Sequence, residues 1–174
     1  MFILKKVYCR IFQKVFRIAL PLLPYREPEI LESIELIPET VVKNGCKKPI
    51  IVTDKGIVNL GLIDSLVEAL KKSEIPFAIY DQTVPNPTTD NVAKAYDLYK
   101  KENCDCLIAF GGGSSMDCAK ALGVQIVYPK KTLGQLKGIL KVHKKLPLLI
   151  AIPTTAGTGS ETTLAAIITD SKTR

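Results

Sequence analysis

Residues 107–117, LIAFGGGSSMD, run an apolar stretch straight into three glycines and two serines. A chain built this way turns sharply at the end of a buried strand and leaves backbone N–H groups uncovered at the turn. Gly111, Gly112 and Gly113 have no Cβ, so their N–H groups can come close to an anion. Ser114, Ser115 and the helix expected after them add free donors and the positive end of a helix dipole. The S-x-x-D spacing of Ser114 and Asp117 predicts a capping box. The stretch therefore reads as a phosphate-binding turn, and the plainer reading is a glycine-rich turn without a ligand. It is not G-x-G-x-x-G, because position 116 is Met, and no G-K-[ST] follows that would make it a P-loop. Ser114 has glycine on one side only, which excludes a G-x-S-x-G nucleophile elbow.

The pattern on either side predicts strands over 50–53, 77–80, 104–110 and 146–152, with a further strand over 163–169. Helices are predicted over 59–73, 89–102 and 115–127. The proline-set loop VPNPT lies between them at 84–88. Strands alternating with helices imply an α/β fold, a doubly wound and mostly parallel sheet with helices on both faces. Such sheets bind ligands at the carboxyl ends of their strands. Every notable loop here follows a strand: Asp54 after the first, Asn86 after the second, the glycines after the third, and PTTAGTGSET (153–162) after the fourth. At 174 residues and 47% hydrophobic content, the chain can bury one core with a small appendage.

That appendage is residues 1–26, where Leu4, Val7, Tyr8, Ile11, Phe12, Val15 and Ile18 recur at helical spacing among basic residues. A basic amphipathic helix is expected there. It docks on protein or lies on a membrane surface. It lacks the uninterrupted apolar core of a signal peptide. No run reaches the ~20 apolar residues of a membrane span. The net charge of +7 comes without zinc-finger spacing, RNP-like aromatics or a recognition-helix pattern, so no nucleic-acid partner is expected. Cys9, Cys46, Cys104, Cys106 and Cys118 are too few for a disulfide scaffold and have a single histidine, His143, for company. Reduced thiols in a cytoplasmic protein are the expected state.

GGGSSMDCAK at 111–120, VPNPT at 84–88 and IPTTAGTGSE at 152–161 resemble the iron-dependent alcohol dehydrogenases, as do TD at 53–54 and ITD at 168–170. The resemblance covers about residues 48–174. It implies a Rossmann-like, dehydroquinate synthase-like domain over 27–174 that binds NAD, with NADP disfavoured. A separate helical domain holding Fe2+ through one aspartate and three histidines is also implied. Hydride would pass between the nicotinamide and a small alcohol or aldehyde.

On the same resemblance, Gly112, Gly113, Ser114, Ser115 and Asp117 lie along the pyrophosphate. Thr154, Thr155, Gly157 and Thr158 serve the adenine side and the phosphates. Asn86 approaches the cofactor from its loop, and Ile167 lines the cleft. Asp54 accepts from the adenosine ribose, where its charge repels a 2′-phosphate. Plainer readings stay open: Asp54 as a turn residue before Lys55, Asn86 as a brace of its own loop, and the threonines as satisfied loop hydroxyls. Lys120 reads as structural.

The chain ends at Arg174, inside what resembles a hairpin, and contains one histidine. The helical metal domain is thus expected to be absent. No catalytic or metal-ligating residue is expected within these 174 residues, nor turnover by them alone. The full-length enzyme could be a homo-oligomer. Two other readings are a glycerol or sugar-phosphate dehydrogenase of the same superfamily and a non-catalytic nucleotide-binding module.

Overall fold

The computed structural model describes Arg10, residues 28–138 and residues 141–172. The chain divides into two compact units, Met1–Ile30 and Leu31–Arg174. The expected N-terminal helix lies, Arg10 aside, outside the described residues. The second unit carries the sheet and the helices that cover it.

A 3-10 turn (Ile34–Leu36) leads into α1 (Ile37–Lys43) and then β1 (Pro49–Val52). Next come α2 (Lys55–Asn59), α3 (Asp64–Lys72) and β2 (Ala78–Tyr80). They are followed by α4 (Thr89–Lys101), β3 (Cys106–Gly111), α5 (Gly113–Val127), a 3-10 turn (Leu133–Leu136) and β4 (Leu149–Pro153). The strands form one sheet in the order β2-β1-β3-β4, and every pairing is parallel. The chain thus leaves β1 toward β2, then jumps back across it to β3. The strand order reverses between β1 and β3, and a crevice opens there at the carboxyl ends.

Side chains alternate along the strands, as a sheet covered on both faces requires. Ile50, Val52, Leu107 and Ala109 face Val92, Ala95, Met116 and Leu122 of α4 and α5. Ile51, Ile108 and Phe110 face Ile37, Val41, Ile57, Leu66 and Leu70 of α1, α2 and α3. Leu66 and Leu70 are fully buried. No helix among the described residues is long and apolar enough to cross a membrane.

Three expectations need correction. The single helix over 59–73 is two helices, because Gly61 takes φ +67 and breaks the run between Asn59 and Asp64. The first of the two begins early because the Asp54 carboxylate accepts the Ile57 N–H at 3.1 Å and caps it. Leu60 is 75% exposed at that break. The strand over 163–169 is absent. Thr169 makes only an isolated bridge to Thr88, and Leu164 and Ile167 face solvent. The capping box of Ser114 and Asp117 is not formed: α5 starts at Gly113 with Gly112 as an uncapped N-cap.

Burial pushes the Cys118 thiol up to about 11, above its ordinary 9.0. Its folded pKa exceeds the unfolded one, so its contribution to stability is intact below pH 9. It is lost as pH rises toward 11, where the unfolded chain ionises and the folded one resists. Chemical unfolding should show lower stability at pH 10.5 than at pH 8, and Cys118→Ala should shrink the difference. An unchanged pH slope in that variant would count against the assignment.

Candidate functional site

A cleft of about 840 Å³ opens where the four strands end. Its floor is the β3–α5 turn. Gly111 sits at φ +143, and a Cβ placed on it would stand 2.6 Å from the Ser115 hydroxyl. A Cβ on Gly112 would stand 3.1 Å from Thr155 Oγ1. One on Gly113 would stand 3.0 Å from Ser160 Oγ. Close approach and the positive φ thus require glycine at 111, while at 112 and 113 a Cβ would oblige the facing hydroxyl to give by a few tenths of an ångström. The helical ladder begins with Met116 N–H donating to Gly112 O at 3.2 Å. The N–H groups of Gly113, Ser114 and Ser115 precede it and have no intrahelical acceptor. A 15-residue helix thus points its positive end at the cleft.

Ser115 is 1% exposed and lines the cleft, and its hydroxyl has no hydrogen-bond partner among the described residues. The Thr83 hydroxyl, also on the cleft wall, lacks one too, as does that of Thr53. Leaving a buried hydroxyl unpaired costs about 1–3 kcal/mol. Orphaned hydroxyls beside uncapped helix donors mark a place where a polar ligand supplies what the chain does not.

The twelve expected cofactor residues divide in two. Asp54, Gly112, Gly113, Ser114, Ser115, Thr154 and Thr155 come together on the cleft wall. Thr154 N–H donates to Gly111 O at 2.9 Å, which joins the exit of β4 to the glycine turn. Asn86, Asp117, Gly157, Thr158 and Ile167 are not part of the cleft lining. Asn86 is exposed at φ +55, while its neighbours Val84 and Pro85 reach the cleft. Thr158 packs its Cβ 3.6 Å from the position a Gly113 Cβ would take. The Asp117 carboxylate accepts the Ile167 N–H at 3.1 Å. Asp117 thus ties down the segment after the Thr154–Thr163 loop and does not cap its own helix.

The structure also gives positions to residues that the sequence placed in no site. Asn91 completes a capping box with Thr88 and donates from Nδ2 to Gln82 O at 2.9 Å. It thereby braces the 82–88 loop, the task that the plainer reading gave to Asn86. Lys120 projects from α5 and donates to Ser160 O, to Thr163 Oγ1 at 2.8 Å and to Ala165 O at 3.1 Å. Lys55 and Lys94 add positive charge at the rim. The Thr88–Asn91 spacing was a readable capping signal. Nothing local announced the partners of Lys120.

The family model for iron-containing alcohol dehydrogenases matches residues 31–174. The chain belongs to the iron-containing alcohol dehydrogenase family. It is 44% identical over 134 residues to the choline dehydrogenase of Bacillus subtilis strain 168, covering 76% of this chain and 33% of that protein. It is 40% identical over 127 residues to the NAD-dependent methanol dehydrogenase of Bacillus methanolicus, covering 73% of this chain and 33% of that one. The crystal structure of sulfoacetaldehyde reductase from Bifidobacterium kashiwanohense in complex with NAD+ aligns with TM-score 0.70 at 30% identity. That alignment covers 80% of this chain and 36% of the reductase. The chain thus spans about a third of the length of the curated relatives it matches. The parallel α/β sheet expected from the sequence agrees with these family structures.

Proposed function

We propose that residues 31–174 form the NAD-binding part of an iron-dependent alcohol dehydrogenase, which passes a hydride between nicotinamide and a small alcohol or aldehyde. One observation carries the reading. The free N–H groups of Gly113, Ser114 and Ser115 and the orphaned Ser115 hydroxyl converge in the cleft at the strand-order reversal. A dinucleotide pyrophosphate offers the charge and acceptor oxygens that this arrangement lacks. The name of the NAD-dependent relative supports the choice of cofactor.

In this reading Gly112, Gly113, Ser114 and Ser115 receive the pyrophosphate, and Thr154 and Thr155 close over it. Asp54 already uses Oδ1 to cap α2. Its remaining lone pairs and charge accept from the adenosine ribose and repel a 2′-phosphate. Asn91, Asp117, Lys120 and Thr158 hold the walls. Bound there, the dinucleotide supplies the hydride donor or acceptor. Iron does not fit these residues: one histidine cannot supply the implied set of one aspartate and three histidines. The 174 residues are thus proposed to bind cofactor without turning over alcohol. A cytoplasmic setting belongs to the same reading, with Cys46, Cys104, Cys106 and Cys118 free.

Calorimetric titration with NADH and NADPH tests the reading. NADH should bind at least about tenfold more tightly, a difference of roughly 1.4 kcal/mol. Asp54→Asn keeps the helix cap while removing the charge, and it should bring the two affinities together. Failure of the folded chain to bind either nucleotide would overturn the assignment. Equal binding by the wild type would remove the role of Asp54 alone.

A further inference from the structure

At the opposite end of the sheet, the Sγ atoms of Cys46 and Cys106 and a carboxylate oxygen of Asp105 all lie within 4.8 Å of one another. Cys46 stands in the turn between α1 and β1, and Asp105 and Cys106 stand where β3 begins. These two strands are hydrogen-bonded neighbours, with Pro49 paired to Cys106. The fold itself thus brings the three groups together across a sequence gap. We propose that Cys46, Asp105 and Cys106 form a binding site for a thiophilic divalent cation of the zinc class.

The donor set selects that class. Two thiolates favour a borderline-soft ion over magnesium or calcium, and a carboxylate oxygen is an accepted third ligand. Zinc–sulfur bonds of about 2.3 Å in a tetrahedron set the sulfurs about 3.8 Å apart. Closing from at most 4.8 Å therefore asks for a shift of roughly 1 Å or less, within side-chain rotation at the half-buried Cys46. Water completes the fourth position.

Asp105 is oriented in advance. Its carboxylate accepts the Lys47 N–H at 2.7 Å and the Lys48 N–H at 3.0 Å, and lone pairs remain on both oxygens. Ligands held by such outer bonds coordinate better than free ones. A shallow pocket of about 320 Å³, lined in part by Gly45, Cys46, Lys47 and Glu74, opens at Cys46 and supplies an entry path. On binding, each thiol loses its proton to solvent as its sulfur bonds the metal, so one cation displaces two protons.

The set contains no histidine, and Cys106 lies five residue steps along β3 from Gly111, about 17 Å of strand. Occupancy therefore ties the β1 approach to the start of β3 and leaves the cleft chemistry alone. This does not depend on the nucleotide reading.

The test is a titration of the reduced, chelator-treated full chain with Co2+ as an optical probe, followed by displacement with Zn2+. One equivalent of Co2+ should give a thiolate-to-metal charge-transfer band that Zn2+ abolishes, and Zn2+ should raise the Tm. Cys46→Ser, at a solvent-accessible turn, should lose the band and weaken binding at least about 100-fold. Asp105→Asn should weaken it about 10-fold or more. Cys104→Ala should leave it intact. Absence of the band in the wild type with its thiols shown reduced, or its persistence in Cys46→Ser, would overturn the proposal. So would closure of the Cys46–Cys106 pair into a disulfide under oxygen with no metal uptake beforehand.

Discussion

Gly111→Ala should unfold the chain more readily by roughly 2–5 kcal/mol and cut NADH affinity at least about 100-fold. Two separate costs add up to that figure. The residue sits at φ +143, a backbone conformation that a Cβ disfavours by about 1–2 kcal/mol. The new methyl would also stand 2.6 Å from the Ser115 hydroxyl and 3.1 Å from the Ser115 Cβ. Both atoms belong to the first turn of a helix whose position is set by the sheet beneath it. Relief must come from moving that turn, and moving it misdirects the three free N–H groups at the cleft. Overpacking of this kind costs about 1–3 kcal/mol.

Ser115→Ala separates the terms. Alone, it removes a hydroxyl without a partner among the described residues, so the unliganded protein should be no less stable. Its NADH affinity should fall about tenfold, the value of one hydrogen bond to a charged group. Combined with Gly111→Ala, it should return part of the lost stability, because the closest clash is gone, while the backbone strain remains. Urea unfolding and calorimetry on the three variants measure both quantities. A Gly111→Ala chain as stable as the wild type would contradict the geometry of the turn.

The β3–α5 turn was legible in the sequence because its determinants are contiguous. An apolar run and three glycines announce the turn locally, although the expected cap is not formed and Gly112 and Gly113 face the distant Thr155 and Ser160. The same holds for Thr88, Asn91 and α4, and for the alternation that divides Ile50 and Val52 from Ile51. Periodicity misled where it ran through a backbone break. Leu60, Ile63 and Leu66 continue one helical face on paper, yet Gly61 turns left-handed between them. It misled again at residues 163–169, whose apolar residues read as a strand. Those residues are held by side chains from α5 and not by a ladder. Asn86 drew notice by its loop, yet the residue that braces that loop is Asn91, inside the helix that comes next. Contacts such as Asp117 with Ile167, fifty residues apart, have no local signature at all. What escaped the sequence was long-range side-chain work, and that work holds the walls of the cleft.

Lys120→Met should release the loop that those walls depend on. Lys120 stands one turn beyond Asp117 on α5, so the two side chains leave the same helix face. They meet the 160–167 segment at four points, three through the Lys120 ammonium and one through the Asp117 carboxylate. Methionine keeps most of the stem's packing and removes the charge. Ser160 O and Ala165 O then lose a charged donor. The ammonium is only half-buried, so water recovers part of the loss, and about 2 kcal/mol is expected rather than the full sum of three charged hydrogen bonds. The Thr158 side chain packs on Gly113 and Ser160 Oγ sits over the same glycine. A freed 158–165 segment therefore loosens the start of α5, and NADH affinity should fall about tenfold. Hydrogen exchange should speed up across 158–168 and stay unchanged in β1 and β3. Lys120→Arg should restore only part of the protection, because a planar guanidinium cannot direct its donors to three acceptors gathered around a point charge. Equal exchange in Lys120→Met and the wild type would mean that the loop is held by its own turns, with the lysine merely lying across it.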